Sequence, residues 1–469
     1  MARKKPIIPE LYISGIADKG KAVGRTDDGQ VIFVEGPVPG DTVEVVVLRK
    51  KRNYSEAVVR KYLSYSEDRQ EPSCIHFGVC GGCKWQSMTY VSQLRYKEQV
   101  VKDCIRRIAK LEPSIVQPII GCDLQYHYRN KLEFSFSTKR WITKKEADSG
   151  VPLDNEGALG FHKAGFFDKI VNITECLLQD DLSNRIRNFV RDYAKIHELS
   201  YYDMNAHLGL LRNMILRNTT LGEWMLIMIF GEDQPENIEA LLEALKTEFA
   251  EITSLNYVIN TKKNDTIFDQ EVITVKGYPY IVEQLGNVKY KIGTKSFFQT
   301  NPTQAKVLFD IAAEYADLKS GQNVYDLYTG LGSIALYIAG SVGHVTGIEE
   351  IPEAIEDANE NKEFNQIKNA TFYAGDVKDI LNDDFIRIHG RPDVVITDPP
   401  RAGMHEDVVN TLLELEAPVI VYISCNPATQ GRDLLLLSQK YETVSVQPVD
   451  MFPHTQHIES VARLVLKKK

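Results

Sequence analysis

No run of about eighteen apolar residues occurs anywhere in the 469-residue chain, so no segment reads as a membrane span. The opening stretch, MARKKPIIPE, is basic but has no apolar core, which excludes a secretory leader. Cysteine is scarce. The seven present are odd in number and clustered, a pattern that argues against a secreted disulfide framework. No internal repeat and no low-complexity tract is present, which excludes solenoids and propellers. Positive charge is not in excess: 55 Lys and Arg face 64 Asp and Glu, for a net charge of −9. The total charge therefore does not announce a polyanion binder. The expected compartment is the cytoplasm, and the expected state is a monomer, since nothing in the sequence suggests an obligate oligomer.

What is present is ordinary in bulk and uneven in detail. With 43% hydrophobic and 25% charged residues, the chain is a globular protein of about two to four domains. Residues 1–62 reverse the overall balance, with twelve Lys and Arg against eight Asp and Glu. Short apolar or alternating stretches at 11–13, 31–34, 42–48 and 57–59 are separated by Asp27-Asp28-Gly29 and by Gly36-Pro37-Val38-Pro39-Gly40. Closely spaced strands with such turns suggest a small barrel. The run GKAVGR followed by VIFVEGPVPGDTVEVVV resembles a TRAM domain, an OB-like RNA-binding barrel. Arg49-Lys50-Lys51-Arg52 and Tyr54 would put cations and an aromatic ring on one edge, which suits a polynucleotide backbone.

Cys74, Cys80 and Cys83 follow within ten positions, with two glycines between the last two. Thiolates at this spacing bind zinc or an iron–sulfur cluster, and the glycines let the backbone bend around a metal centre. A fourth ligand is needed. Cys176 is the best candidate, with Cys104 and Cys122 as the others. Cys104 shares an amphipathic helix face with Val101, Ile105 and Ile108 and reads as core, and Cys122 reads as a strand end. Spacing leaves zinc and iron both open.

Residues 124–269 read mainly as strands, with helices over 183–197 and 235–249, and YHYRNKLEFSFS and GALGFHKAGFFDKIVNI alternate as a half-buried sheet should. Arg129, Asn130 and Lys131 occupy a turn-like position before a strand and could contact a phosphate or lie on a plain surface turn. WITKKEADSGVPLDNEG reads as a flexible loop.

From Ile292 onward the pattern becomes alternating α and β. Asn301-Pro302 opens a helix. NVYDLYTGLGSIALYIA then gives strand, glycine turn and helix, and Gly330-Leu331-Gly332-Ser333-Ile334-Ala335 fits the G-x-G-x-x-G/A form. Glu349 ends the next strand, where a carboxylate can take ribose hydroxyls. Asp376 and Asp398 end two more. Asp326 ahead of the glycines, the absence of a second mononucleotide half, and DPP after the fourth strand favour S-adenosylmethionine over a nicotinamide cofactor.

The stretch from Asp393 to Pro427 organises the chemistry. Two apolar runs, 394–397 and 419–423, end in Asp398-Pro399-Pro400-Arg401 and in Ser424-Cys425-Asn426-Pro427. Ligands of open parallel sheets bind at strand carboxyl ends, so a carboxylate and a thiol are expected in one cleft. In the tail DMFPHTQHIESVARLVL, His454, His457 and Glu459 are candidates for proton transfer, Glu459 foremost. A thiol facing a methyl donor suits attack on C6 of a uracil ring. That addition makes C5 nucleophilic, and a base then removes the C5 proton. Cys425 fits the first role and Glu459 the last. The base must be flipped out to be reached.

Nearly the full length resembles the RNA 5-methyluridine (uracil-C5) methyltransferases of the RumA/RlmCD type. The resemblance rests on the TRAM-like start, C-x5-C-x2-C with Cys176, SFFQTNP, DLYTGLG, GIE, TDPPR, SCNP and DMFPHTQHIE. It implies a multidomain α/β protein: an OB-like TRAM barrel over 1–65, a mixed α+β central domain with an iron–sulfur site over 66–91 and 120–275, and a Rossmann-like class I methyltransferase domain over 92–119 and 276–469. It implies a [4Fe-4S] cluster on Cys74, Cys80, Cys83 and Cys176, and S-adenosylmethionine contacts at Gln299, Tyr328, Glu349 and Asp398. The motif reading adds Gly330 and Asp376 to that site. Cys425 would be the nucleophile and Glu459 the base. Many relatives carry a cysteine where this chain has Thr329. The tRNA-specific branch generally lacks the barrel and the cluster cysteines, so the resemblance favours 23S rRNA as substrate over the tRNA T-loop. Two other classes stand beside this reading: a methyltransferase acting on nitrogen, and a non-catalytic RNA-binding or assembly factor.

Overall fold

The structure is a computed structural model that describes residues 5–17, 20–150 and 157–468. It begins with a closed five-stranded barrel of β1 (Ile7–Ile16), β2 (Ala22–Arg25), β3 (Val31–Glu35), β4 (Thr42–Lys50) and β5 (Tyr54–Ser64). Leu11, Ile13, Ile32, Val34, Val43 and Val45 fill its centre. Their alternation along the strands is what one buried face requires. The helix α1 (Tyr90–Cys104) follows and runs on as a π-helical turn over Ile105–Ala109.

The second sheet has seven strands in the order β12-β11-β10-β9-β6-β7-β8. These are β6 (Lys131–Ser137), β7 (Ala158–His162), β8 (Ile170–Asn172), β9 (Leu211–Asn218), β10 (Trp224–Phe230), β11 (Ile252–Ile259) and β12 (Ile273–Lys276). With them come α2 (Lys144–Ala147), α3 (Asp181–Ile196) and α4 (Pro235–Glu248). The expected half-buried alternation holds at the start of β6, where Leu132 and Phe134 are buried and Glu133 is exposed, and is lost where Phe134, Ser135, Phe136 and Ser137 are buried in succession. Strands β9 and β10 are buried almost end to end because they are covered on both faces. Met214, Leu216, Leu226 and Met228 pack in one core with α3 and α4, whereas Ile215, Met225, Ile227 and Ile229 join the core of the C-terminal sheet. In the expected loop, Thr143 caps the short α2 in a reciprocal box with Glu146, and residues 151–156 lie outside the described residues.

A hairpin of β13 (Tyr280–Leu285) and β14 (Val288–Gly293) leads to the last sheet. Its strands are β15 (Asn323–Leu327), β16 (His344–Glu349), β17 (Ala370–Ala374), β18 (Val394–Thr397), β19 (Val419–Ser424), β20 (Tyr441–Val449) and β21 (Glu459–Leu466). The order is β17-β16-β15-β18-β19-β21-β20. The first five strands are parallel, and β21 is antiparallel to both its neighbours. Its helices are α5 (Pro302–Ala316), α6 (Ser333–Ile338), α7 (Pro352–Phe364), α8 (Val377–Ile380), α9 (Asp383–His389), α10 (Glu406–Leu415) and α11 (Pro427–Leu437). Val394 and Ile396 enter one core, Val395 the other. A sheet clad on both faces needs such unbroken apolar strands.

Although α1 precedes the central sheet, Val101, Ile105 and Ala109 belong to the C-terminal core. Lys97 and Asp450 form a fully buried ion pair at 2.6 Å, and Lys97 also donates to the Phe452 carbonyl at 3.0 Å. Tyr90 adds a bond to the other Asp450 oxygen at 3.0 Å. One face of α1 thus grips the segment that leads into β21.

Cys104 is not core as expected. It is half-buried and lines a cleft between the barrel and α1, because the helix turns Val101 and Ile105 inward instead. Cys122 is buried, two residues past a parallel bridge between Ile120 and Val449. No helix among the described residues is long and apolar enough to cross a membrane.

Candidate active site at the carboxyl ends of the C-terminal sheet

Strands β15, β16, β17 and β18 deliver their acidic and glycine residues to one edge. At the end of β15, Tyr328 takes a left-handed φ of 65°. This lets the N–H groups of Tyr328 and Thr329 both donate to the Ile348 carbonyl, at 2.9 and 3.0 Å. Gly332 has φ 81°, and a Cβ there would sit 3.0 Å from the Phe372 ring, so glycine is required for both backbone and space. Glu349 at the end of β16 accepts the Gly330 N–H at 3.0 Å and the Ile351 N–H at 3.1 Å.

Asp326 lies beneath this turn. Its Oδ2 accepts from the Thr329 hydroxyl at 2.5 Å and from the Ala335 N–H at 3.1 Å, while its buried Oδ1 has no partner. Burial pushes its carboxyl up to about 7. Asp326 therefore shapes the turn from below, and Thr329 is the residue that ties it there. Asp376 caps α8, and its carboxylate is engaged by the Lys378 ammonium at 2.9 Å. Hydrogen bonding to Lys378 holds it below the usual carboxylate range. The Gln299 carbonyl accepts from Asn130 at 3.1 Å, and Asn301 two residues on caps α5 and donates to the Met451 carbonyl at 2.9 Å.

Beyond β18 and β19 the expected thiol and carboxylate do meet. Ser424 pairs with Ser460 across β19 and β21, so Cys425 and Glu459 stand opposite each other one step further on. Cys425 directly precedes Asn426, whose Oδ1 caps α11 through the Ala428 N–H and whose Nδ2 donates to the Arg401 carbonyl at 3.1 Å. Burial raises the Cys425 thiol to about 11, helped by Glu459 and Asp398 and opposed by Arg401. Burial also raises Asp398 to about 7, with the charge of Asp326 adding to it. Glu459 is 7% exposed, and burial followed by the Asp398 charge lifts it well above the usual range. Three acids thus crowd a space in which Arg401 is the opposing cation. Such perturbed clusters mark functional sites.

The two histidines separate. His457 accepts at Nδ1 from Arg401 at 3.0 Å, and burial with Arg401 lowers it to about 4. His454 is fully buried, stacked on Tyr126 at 4.4 Å and held by Gln93 at 3.2 Å. Its place is between α1 and the tail rather than beside Cys425. Arg401 was not singled out in the sequence as a site residue, although its position directly after Asp-Pro-Pro was the available signal.

Cys74, Cys80, Cys83 and Cys176 all line a second cavity of about 510 Å³. Burial raises Cys80 to about 11 and Cys83 to about 12, with the other cysteines adding to both. They are close enough to repel one another as thiolates. A cationic cluster core would relieve that repulsion, so the donor set fits an iron–sulfur group. Among the described residues no three His, Cys, Asp or Glu side chains converge on one point as a single metal ion demands. The same cavity reaches Thr455 and His457 of the tail, and the exposed rings of Phe268 and Phe297 also line it.

This geometry has close parallels. Residues 214–469 match the model of the tRNA (uracil-5-)-methyltransferase family, and residues 10–59 match the TRAM domain. The chain belongs to the tRNA (uracil-5-)-methyltransferase family. An uncharacterized RNA methyltransferase of Bacteroides thetaiotaomicron is 52% identical over 96% of this chain and 100% of its own. One from Porphyromonas gingivalis is 50% identical over 97% and 99%. Among solved structures, a Pyrococcus abyssi tRNA (uracil-54, C5)-methyltransferase in complex with S-adenosyl-L-homocysteine superposes with a TM-score of 0.74 at 28% identity, covering 97% of this chain and 100% of that one. The barrel and the C-terminal methyltransferase fold expected from the sequence are thereby established.

Proposed function

We propose that the protein transfers a methyl group from S-adenosylmethionine to C5 of a uridine in RNA, through a covalent bond between Cys425 and C6. The observation that carries this reading is the opposition of Cys425 and Glu459 across β19 and β21, with Asp398 beside them. The turn of Tyr328 and Gly330, with Gln299, Glu349, Asp376 and Asp398, is assigned to the methyl donor. The acidic crowding at Asp398, Glu459 and Cys425 favours a cationic ligand, and a sulfonium is one. Its charge stabilises the thiolate and carboxylate forms that the reaction needs.

In the reaction Cys425 loses its proton and its sulfur bonds to C6, leaving negative charge delocalised onto C5 and O4. C5 then takes the methyl group and the sulfonium becomes a neutral thioether. Glu459 removes the C5 proton, the C5–C6 double bond re-forms, and the Cys425 sulfur leaves.

The cysteines at 74, 80, 83 and 176 are assigned to a [4Fe-4S] cluster. Four thiols around one roomy cavity, without convergence on a point, suit a polyatomic group better than zinc. The group would supply structural cross-linking of the 74–83 loop to the segment before α3. The barrel over 1–65, the central unit over 66–91 and 120–275, and the catalytic unit over 92–119 and 276–469 are the proposed functional divisions. The RNA would cross from the barrel to the cavity mouth.

Ribosomal 23S RNA is the proposed substrate, on the strength of the barrel and cluster cysteines. A second reading, the tRNA T-loop, is favoured by the full-length likeness to a tRNA enzyme. Labelled S-adenosylmethionine with separate pools of unmodified 23S rRNA and tRNA decides between them. 5-Methyluridine in the ribosomal pool supports the proposal, and label in tRNA alone overturns the substrate assignment.

A further inference from the structure

Lys131 and Arg217 are paired directly across the antiparallel strands β6 and β9. Like charges in that arrangement are destabilising, yet both side chains face the cavity that holds the four cysteines. Arg217 is 5% exposed. Its guanidinium donates to the Ser296 carbonyl at 2.6 Å, and its buried Nε has no partner. The Lys131 ammonium makes no hydrogen bond or ion pair among the described residues. Glu133 and Asp357 attract these cations from a distance. Glu133 is exposed, however, and Asp357 is bonded to the Ser296 hydroxyl at 2.6 Å. Burial, then Arg217, lowers the Lys131 ammonium to about 8, as an uncompensated cation should behave.

Two cations side by side in a concave site, with no ion-pair partner among the described residues, suit an anion. The cysteine cluster is not the best match. Arg187 and Arg129 are the cations that lower the Cys176 thiol against Cys74, and Lys163 lowers Cys80 against Cys176 and Cys74. The Lys131–Arg217 pair lies instead beside Ser296 and Phe297, on the segment that leads to Gln299. We propose that Lys131 and Arg217 clamp a phosphodiester of the acceptor RNA strand next to the uridine presented to Cys425. This inference rests on the uridine-methylation reading above and names a backbone contact that reading does not require.

The test uses the full-length protein with its native metal content and a short oligo(U) RNA, with binding read by fluorescence anisotropy over a range of salt. Lys131→Gln is the first variant and Lys131→Arg the conservative rescue. Lys131 is less buried than Arg217, so its replacement spares the fold where that of Arg217 endangers it. For Lys131→Gln the clamp predicts several-fold weaker binding and a log K against log salt slope shallower by about 0.7, the contribution of one single-strand phosphate contact. Lys131→Arg restores both, and affinity for S-adenosylmethionine stays at the wild-type value. An unchanged slope and affinity overturn the clamp. So does a loss of iron with RNA binding intact, which would assign the cations to the cluster. Stabilisation of the wild type but not the variant by inorganic phosphate, with an unchanged RNA slope, would mark a free-anion site and equally overturn it. Wild-type protein that binds the RNA without methylating uridine sinks the catalytic reading alone, because the slope is read independently.

Discussion

Cys425 and Glu459 face one another across β19 and β21, one step past the Ser424–Ser460 pair. The two lie 34 positions apart in sequence, and the antiparallel insertion of β21 beside β19 brings them together. That insertion puts a carboxyl where a parallel strand would have delivered only a loop. Burial raises both the thiol and the acid, Glu459 adds to the rise at Cys425, and Asp398 raises both further.

The pH dependence of methyl transfer follows from the thiol. Its resting value of about 11 means that the thiolate fraction grows as pH rises. Initial rates at saturating donor should increase from about pH 6 to about pH 9. A flat profile, or a maximum on the acid side, would contradict thiolate attack.

Asp398 should cost stability while serving the site. Its folded value of about 7 lies above the ordinary 3.8, so the folded state binds the extra proton between these values. Asp398 therefore destabilises the fold above pH 7, and the cost vanishes as pH falls below about 4. Asp398→Asn should be the more stable protein at pH 8, by about 2–4 kcal/mol, and should lose methyl transfer. Thermal unfolding at pH 8 and pH 4 checks this. A variant less stable than wild type at pH 8 contradicts it.

The Lys97–Asp450 pair is 0% exposed on both sides. Lys97→Met leaves the Asp450 carboxylate buried without its cation, and such losses cost about 3–5 kcal/mol. Urea unfolding should show a drop of that order. The catalytic rate should fall as well, since Asp450 and Phe452 precede the segment carrying Glu459. A change within about 0.5 kcal/mol would show that α1 does not anchor the tail.

Cys176→Ser removes one thiol from the proposed cluster. Anaerobically purified wild type should carry iron and sulfide with visible absorbance, and the variant should lose most of both and unfold earlier. Zinc in place of iron in the wild type, or full iron retention in the variant, would refute the assignment.

Much of this was legible because the chemistry sits at element boundaries. Strands 394–397 and 419–424 stand out as apolar runs ending in turn residues, and Gly330-x-Gly332 marks the helix start. Local chemistry also showed Asn301 as a cap. What the sequence did not show depends on long-range packing. The alternation at the start of β6 is not repeated in β9 and β10, because a second core, shared with the C-terminal sheet, covers their other face. Cys104 misled because helical periodicity gives a face but not what lies against it. Lys97 carried no local signal, since its partner stands 353 positions away. The cation pair of Lys131 and Arg217 arises only when β6 and β9 align.

The covalent step is tested most directly by Glu459→Gln incubated with S-adenosylmethionine and uridine-containing RNA. Without the base, C5 keeps its proton after methylation and the Cys425–C6 bond cannot break. The expected product is an RNA–protein adduct that survives denaturation and maps by mass spectrometry to the peptide containing Cys425. The adduct should be absent when Cys425→Ala is combined with Glu459→Gln. Methylation of uridine C5 by Cys425→Ala, or an adduct mapped to any other residue, would contradict the covalent step.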